Sequence, residues 1–493
     1  MLTAVILVPL LGALGIALWP AWSEKAGGAA AVSIAAVPLV LLIQAWHRFD
    51  IGGPEFQLVE QLAWVPSLGM GWRVGVDGIA LTIATISALL YVCAVAYPAD
   101  AKERGRQYYA WFLFIEGASL GVFLSIDLLL FYVFFDLSLV GAYFLINHWG
   151  RGDAHRTALK FFIYTFSGSL ILLLAILGLY LASKPLSFDM RELIAAQPLA
   201  HRGLYGSLVL LGLVVGLGVK VPLFPFHTWM PSAHADAPAP ASAILSGVLL
   251  KMGVFGFIRI PFAMLRGTFA HYALAIGIFA AISIVYGALV ALGQTNMKRR
   301  IAYTSMNHMG YAVLGIAAAG AVPATADADS GRLALTGASL ELVAHGLIIG
   351  ALFLITGAFW RRGGELELDS YGGLARQAPR LTVLTVLAAL AAFGLPSLAG
   401  FVAVLHVFAG SFAVYPWLAG IALLGVVLTA ALFLDMVQRL FFGPATPRHE
   451  QFSDLNAAEM LPLVLLLSLV VVIGLYPSWM LAVVEASAKL MAP

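Results

Sequence analysis

Cysteine is nearly absent: Cys93 is the only one in 493 residues. One thiol excludes an internal disulfide and any iron–sulfur cluster held by cysteines of this chain. Charge is scarce too, at 11% of residues, about half the share of an ordinary soluble domain. The net charge of +2 arises from lysines and arginines scattered over short loops, which leaves no footprint for nucleic acid. No strand is predicted, and no GxGxxG or Walker pattern stands where a nucleotide site would need one. Long polar segments are missing as well. The longest connections, near 48–76, 184–205 and 361–380, are too short for a soluble domain.

Apolar residues fill the space left by these absences, at 61% of the chain. Runs of about twenty recur throughout, each long enough to cross a ~30 Å hydrocarbon core as helix, and barrel-like alternation is absent. The predicted class is all-α and polytopic, with the lipid bilayer as solvent. Spans are expected near 3–20, 28–46, 78–97, 110–126, 128–147, 161–182, 206–230, 240–262, 271–293, 301–320, 333–360, 380–411, 416–441 and 459–485, about fourteen in all. The first lacks a basic leader and a small-residue cleavage site, so it reads as a retained helix. "ATADADSG" at 324–331 reads as a solvated turn. With the N-terminus outside, the inner loops collect the larger share of cations, among them Lys102, Arg104, Arg151, Lys298, Arg299, Arg300, Arg361, Arg362 and Arg448. The outer loops hold fewer, including Arg48, Arg73, Lys184, Arg191 and Arg259. That bias predicts both termini on the outer side of a bacterial inner membrane.

Two stretches interrupt the helical pattern: "KVPLFPFHTWMP" from 220 and "GLPSLAGF" at 394–401. Paired interruptions of this kind point toward an inverted-repeat transporter with its working groups near the bilayer midplane. Ionisable residues mark the same depth. A charge at the bilayer centre costs about 2.5–3.5 kcal/mol on insertion scales, so each needs a partner or water. Lys220 precedes Pro222 and Pro225, which free backbone carbonyls around it. Lys251 lies mid-span between Gly247 and Gly253. Neither position suits a lysine that snorkels to an interface. Asp136, in "FYVFFDLSLV", is the expected partner of Lys220, the alternative being an isolated protonated acid. His308 and His345 are candidates to relay protons, against the plainer reading of packed histidines. Glu116 and Glu341 are further relay candidates; Glu341 stands one helical turn before His345 and could simply bond it. Asp435 reads as an interface partner of Arg439, and His227 and His234 as structural groups around the broken helix.

A lysine, a proline-broken stretch and a second lysine, "KVPLFPFHTWMPSAHADAPAPASAILSGVLLK", resemble the antiporter-like proton-pumping membrane subunits of respiratory complex I. "KRRIAYTSMNHMGY", "ELVAHG" and "GLPSLAGF" extend the likeness over nearly the whole chain, in the manner of the M-type subunits of NADH:quinone oxidoreductase. The length argues against the related L type, which carries a long lateral helix. The resemblance implies fourteen helices with broken helices seven and twelve and two inverted five-helix repeats. On this sequence the repeats would occupy 108–262 and 263–445, after N-terminal helices at 1–107 and before a last helix at 446–493. It also implies that Asp136 modulates Lys220, that Lys251 is central, and that His308 and His345 continue the polar axis. Flavin, iron–sulfur clusters and quinone would then belong to other subunits, with no cofactor or metal in this chain, and L- and N-type subunits would be its neighbours.

Two departures stand out. The family has glutamate where this chain has the shorter Asp136, so contact with Lys220 would need a water or a helix shift. On helix twelve, "GFVAVLH" puts Val404 where the family has a glutamate or lysine. His406 follows two residues later, a rotation of about 200° that turns it away, so either release runs through His345, Glu341 and water, or a local distortion brings His406 into the relay, or pumping in this subunit is impaired. Three rivals share the pattern: a subunit of a Mrp-type cation/proton antiporter, a subunit of a membrane-bound hydrogenase, and a structural member that does not pump.

Overall fold

Long apolar runs leave the backbone no solvent to bond to in a bilayer, so they close their own hydrogen bonds as helices. The computed structural model describes residues 1–18, 24–98, 104–200, 203–325, 328–444 and 452–491. The chain begins with α1 (Leu2–Leu18), α2 (Glu24–Arg48) and α3 (Gly78–Ala96). Next come α4 (Gly105–Leu124), α5 (Leu128–Trp149), α6 (Ala154–Ala182), the short α7 (Met190–Ala196) and α8 (Gly203–Lys220). A short α9 (Met230–Asp236) leads into α10 (Ala239–Ile244), which a π-helical turn at Leu245–Leu249 joins to α11 (Leu250–Phe257). The remainder is α12 (Arg266–Leu292), α13 (Met297–Thr325), α14 (Ala328–Gly363), α15 (Pro379–Ala392), α16 (Ala399–Val414), α17 (Pro416–Val437), α18 (Ala457–Leu475) and α19 (Ser478–Met491). Ten of the described helical stretches are long and apolar enough to span a bilayer, with α1, α15 and α16 shorter apolar helices. The protein is an all-α polytopic membrane protein.

Several spans end or break earlier than hydropathy suggests. The run near 206–230 stops as helix at Lys220, because prolines follow within two and five residues. The run near 380–411 divides between α15 and α16, where Gly394 and Ser397 take positive φ of 80° and 75°. The run near 459–485 divides at Pro477 into α18 and α19. Of the stretch 324–331 expected as a turn, 324 and 325 end α13 and 328–331 begin α14, while residues 326 and 327 lie outside the described residues, as do Lys102 and Arg448.

The connection near 48–76 corrects the expectation of no strands. It folds as an antiparallel hairpin, β1 (Gln57–Val65) with β2 (Met70–Val76). Register shifts between Gln57 and Glu60, and between Ala63 and Val65, break the two-residue alternation that would have announced it. Asp127 anchors the hairpin to the start of α5, accepting from the Gly71 amide at 3.1 Å and from Arg73 at 2.6 Å.

Three cations assigned to loops are also buried. Arg259 pairs with Asp77 at 2.6 Å, and Arg300 pairs with Asp435 at 2.6 Å, joining α13 to α17. Asp435 bonds Arg439 too, at 2.9 Å. Lys298 donates to the Ala237 carbonyl. Each is drawn inward because its helical phase points at a carbonyl or carboxylate that would otherwise lie unpaired in an apolar interior.

Glycine lets α11 lie against α8 at the level of the lysines. A Cβ added at Gly253 would sit 2.7 Å from Val221 Cγ2, 3.2 Å from Lys220 Cβ and 3.2 Å from the Leu217 carbonyl oxygen. Gly253→Ala therefore forces the two helices apart. The expected cost is about 1–3 kcal/mol, measured as a lower midpoint of thermal unfolding in detergent.

Candidate functional site

The first group lies where α8 ends. Lys220 is 2% exposed, and its ammonium donates to Ser138 Oγ on α5 at 3.1 Å and lies 4.8 Å from the Phe135 ring centroid. Asp136 is two residues before Ser138 on the same helix. No ion pair joins it to Lys220 among the described residues. Its Oδ1 has no hydrogen-bond partner among the described residues, and Tyr132 and Ser169 are its polar neighbours, with Lys220 in electrostatic reach. The shorter acid leaves Ser138 as the direct partner of the amine. Beyond Lys220 the broken segment satisfies its freed groups through side chains. Trp229 Nε1 donates to the Val219 carbonyl at 2.9 Å, and Ser283 Oγ accepts from the Phe224 amide at 2.9 Å.

The second group gathers side chains of α11, α13 and α14. The π-helical turn withdraws the Ser246 carbonyl from regular α-helical bonding, and Lys251 Nζ donates to it at 2.6 Å. The same ammonium lies 2.6 Å from His345 Nδ1 on α14. The His345 and His308 rings stand 4.9 Å apart, and His308 Nδ1 is 2.8 Å from Glu341 Oε1. Lys251, His345, His308 and Glu341 are each at most 5% exposed. Within these four side chains, three atoms lack a hydrogen-bonding partner among the described residues: His345 Nε2, His308 Nε2 and Glu341 Oε2. All three side chains line a cavity of about 10 Å³, together with Thr304, Ala392 and Gly400. That volume is at the lower limit for one water, which needs polar partners of this kind.

The structure thus brings Lys251, His345, His308 and Glu341 together, and sets Lys220 with Asp136 across the α8–α11 contact. It does not bring in the other two candidates. His406 Nδ1 lies 2.7 Å from the Val402 carbonyl of its own helix, and His406 is partly exposed. Glu116 is fully buried in α4, near the Tyr91–Ser119 pair, with neither carboxylate oxygen bonded among the described residues. His234, read from the sequence as structural, is completely buried and stacked on Phe353 at 4.9 Å. Both its nitrogens lack partners among the described residues, and Lys251, Lys298 and His345 lie in electrostatic reach. Among the described residues no group of three or more His, Cys, Asp or Glu is arranged to hold a metal ion.

Residues 125–429 match the family described as NADH:quinone oxidoreductase/Mrp antiporter, TM. The chain is 39% identical to NAD(P)H-quinone oxidoreductase chain 4 1 of Synechococcus sp. (strain JA-3-3Ab), over 97% of this chain and 90% of that one. It is 36% identical to the protein of the same name in Picosynechococcus sp. (strain ATCC 27264 / PCC 7002 / PR-6), over 100% and 92%. Its fold is similar to a chain of respiratory complex I from Thermus thermophilus with bound NADH, with a TM-score of 0.88, 30% identity and full coverage of both chains. A chain of the Mrp complex from Dietzia sp. DQ12-45-1b has a TM-score of 0.87 at 22% identity, covering 100% and 97%, a likeness of fold alone.

Proposed function

The chain belongs to the NADH:quinone oxidoreductase/Mrp antiporter transmembrane family, and from that premise we propose how its buried charges carry protons. It is a membrane-arm subunit of NAD(P)H-quinone oxidoreductase that takes part in proton translocation. Electron transfer takes place in other subunits, where flavin, iron–sulfur clusters and quinone reside. L- and N-type subunits flank this one in the inner membrane, and both its termini face outward. Two inverted five-helix units, 108–262 and 263–445, each contain one of the two interrupted helices.

The observation that carries the reading is the close succession of buried proton-binding groups, with Lys251 Nζ on His345 Nδ1 and the His345 and His308 rings 4.9 Å apart. In the resting arrangement Lys220 holds its proton against Ser138. A small shift of α5 exchanges Ser138 for Asp136, which strengthens the hold of the site on the ammonium; withdrawal of Asp136 weakens it. The proton then passes across the α8–α11 contact to Lys251, and from Lys251 Nζ to His345 Nδ1. An imidazole accepts at one nitrogen and releases at the other, so His345 Nε2 hands the proton through water to His308. Moving one charge across 100 mV takes about 2.3 kcal/mol, within the range that changing the partner of a buried ammonium supplies.

Substituting Lys220 with alanine tests this. In the assembled complex in proteoliposomes, proton uptake and quinone reduction are expected to fall together by about tenfold. Wild-type values of both would end the assignment.

A further inference from the structure

The row of buried proton-binding groups has an unassigned end. Glu341 sits beyond His308, 1% exposed, with Oε1 bonded to His308 and Oε2 without a partner among the described residues, and its side chain is among those lining the small cavity. The register of α14 against α16 shows what faces it. A Cβ at Gly410 would lie 2.4 Å from the Ala334 amide nitrogen, one at Gly337 2.3 Å from the Val407 amide nitrogen, and one at Gly400 3.4 Å from Ile348 Cδ1. These contacts make the helices antiparallel and set Val404 level with Glu341. The facing helix thus offers no proton-binding side chain at that depth, and His406 is turned to the Val402 carbonyl.

On the other flank the surroundings become polar. Tyr311 stands one turn beyond His308 on α13, its ring 5.8 Å from that histidine, and its buried hydroxyl feels the Glu341 charge. Asn307 Nδ2 donates to Thr429 Oγ1 at 3.2 Å in the same seam between α13 and α17. A Cβ at Gly425 would lie 2.7 Å from the Tyr311 hydroxyl and 3.2 Å from Asn307 Nδ2, so glycine keeps the seam open.

We propose that Glu341 is the terminal proton carrier of this subunit, the acid that takes the proton from His308 and releases it on the far side of the relay. The inference rests on the proton-translocating reading above. The step balances simply: the His308 Nδ1–H bond breaks, an O–H bond forms at Glu341 Oε1, and imidazolium plus carboxylate become neutral imidazole plus carboxylic acid. Loss of that proton to water beside Tyr311 regenerates the carboxylate. A structural role, in which Glu341 only holds the His308 ring, would need the hydrogen bond but not the ionisation.

Glu341→Gln separates the two, since the amide oxygen can still accept from His308 while no proton is exchanged. In the assembled complex in proteoliposomes, E341Q is expected to lower protons moved per quinone reduced, with the initial rate of uptake down about tenfold. Adding Val404→Glu, which returns a carboxylate at the same depth from α16, is expected to recover at least half of it. Unchanged pumping in E341Q while Lys251→Met blocks it would overturn the assignment of Glu341 and leave the pump reading standing. Unchanged pumping in both would remove the reading beneath it. Failure of E341Q/V404E to recover, with the complex assembled and E341Q defective, would place the required carboxylate at position 341 itself, in its bond to His308, and leave the carrier role standing. Where E341Q alone assembles poorly, the double variant and Glu341→Asp, which keeps an exchangeable proton, decide by the same measurement.

Discussion

Lys251→Met is expected to abolish proton movement through this subunit while leaving the fold intact. Methionine matches the length of the lysine stem and adds no buried charge, and replacing a buried cation by an apolar isostere is often neutral for stability. What it removes is the donor common to the Ser246 carbonyl and His345 Nδ1, both at 2.6 Å. His345 then has no proton source on the α11 side, and a relay step supplied by a positioned group is worth about 10²-fold or more in rate. Uptake of protons by proteoliposomes, followed alongside quinone reduction, checks this. Lys251→Arg sharpens the test. A guanidinium keeps the positive charge but does not release its proton, so pumping should stay off in this variant also. Recovery with arginine would mean that Lys251 acts only as a fixed charge.

Arg259→Leu carries the largest expected effect on stability. Arg259 and Asp77 are 2% and 0% exposed and pair at 2.6 Å, with Arg259 between the rings of Phe56 and Phe255 at 5.0 and 5.1 Å. Asp77 also caps α3 by accepting from the Ala80 amide at 2.7 Å. Removing the arginine leaves a carboxylate buried and unpaired, at a cost of about 3–5 kcal/mol. The fall should show as a lower unfolding midpoint and less assembled complex. Asp77→Asn in the same chain should restore most of the loss, because asparagine still caps the helix and carries no charge. If the single and double variants unfold alike, the pair contributes packing and not charge compensation.

Some of the site could be read in the chain itself. Lys220 and Lys251 are conspicuous because an amine in an apolar run is rare for a solvation reason, and the prolines after Lys220 foretell the end of α8. Membership in a membrane-helix class follows from the same physics, since runs of twenty apolar residues have few other stable fates. The pairing was less legible. Asp136 was the expected partner of Lys220, yet Ser138 holds the amine, because one missing methylene and a two-residue rotation on α5 decide which side chain reaches. Glu341 shares a turn with His345 but bonds His308 on another helix, a choice no spacing within α14 encodes.

Lys298, Arg300 and Arg259 show the same limit from the opposite direction. In sequence they look like loop cations; in the fold each meets a carbonyl or carboxylate brought from a distant helix. The hairpin at 57–76 was hidden by bulges that scramble its alternation. The sequence alone determined that long apolar helices form and that they break after Lys220 and near Gly394, because hydropathy and proline act locally along the chain. Only the tertiary structure decided which buried charge meets which partner, because a hydrogen bond is settled by the last ångström between helices, and that distance is set by glycines and packing far apart in the sequence.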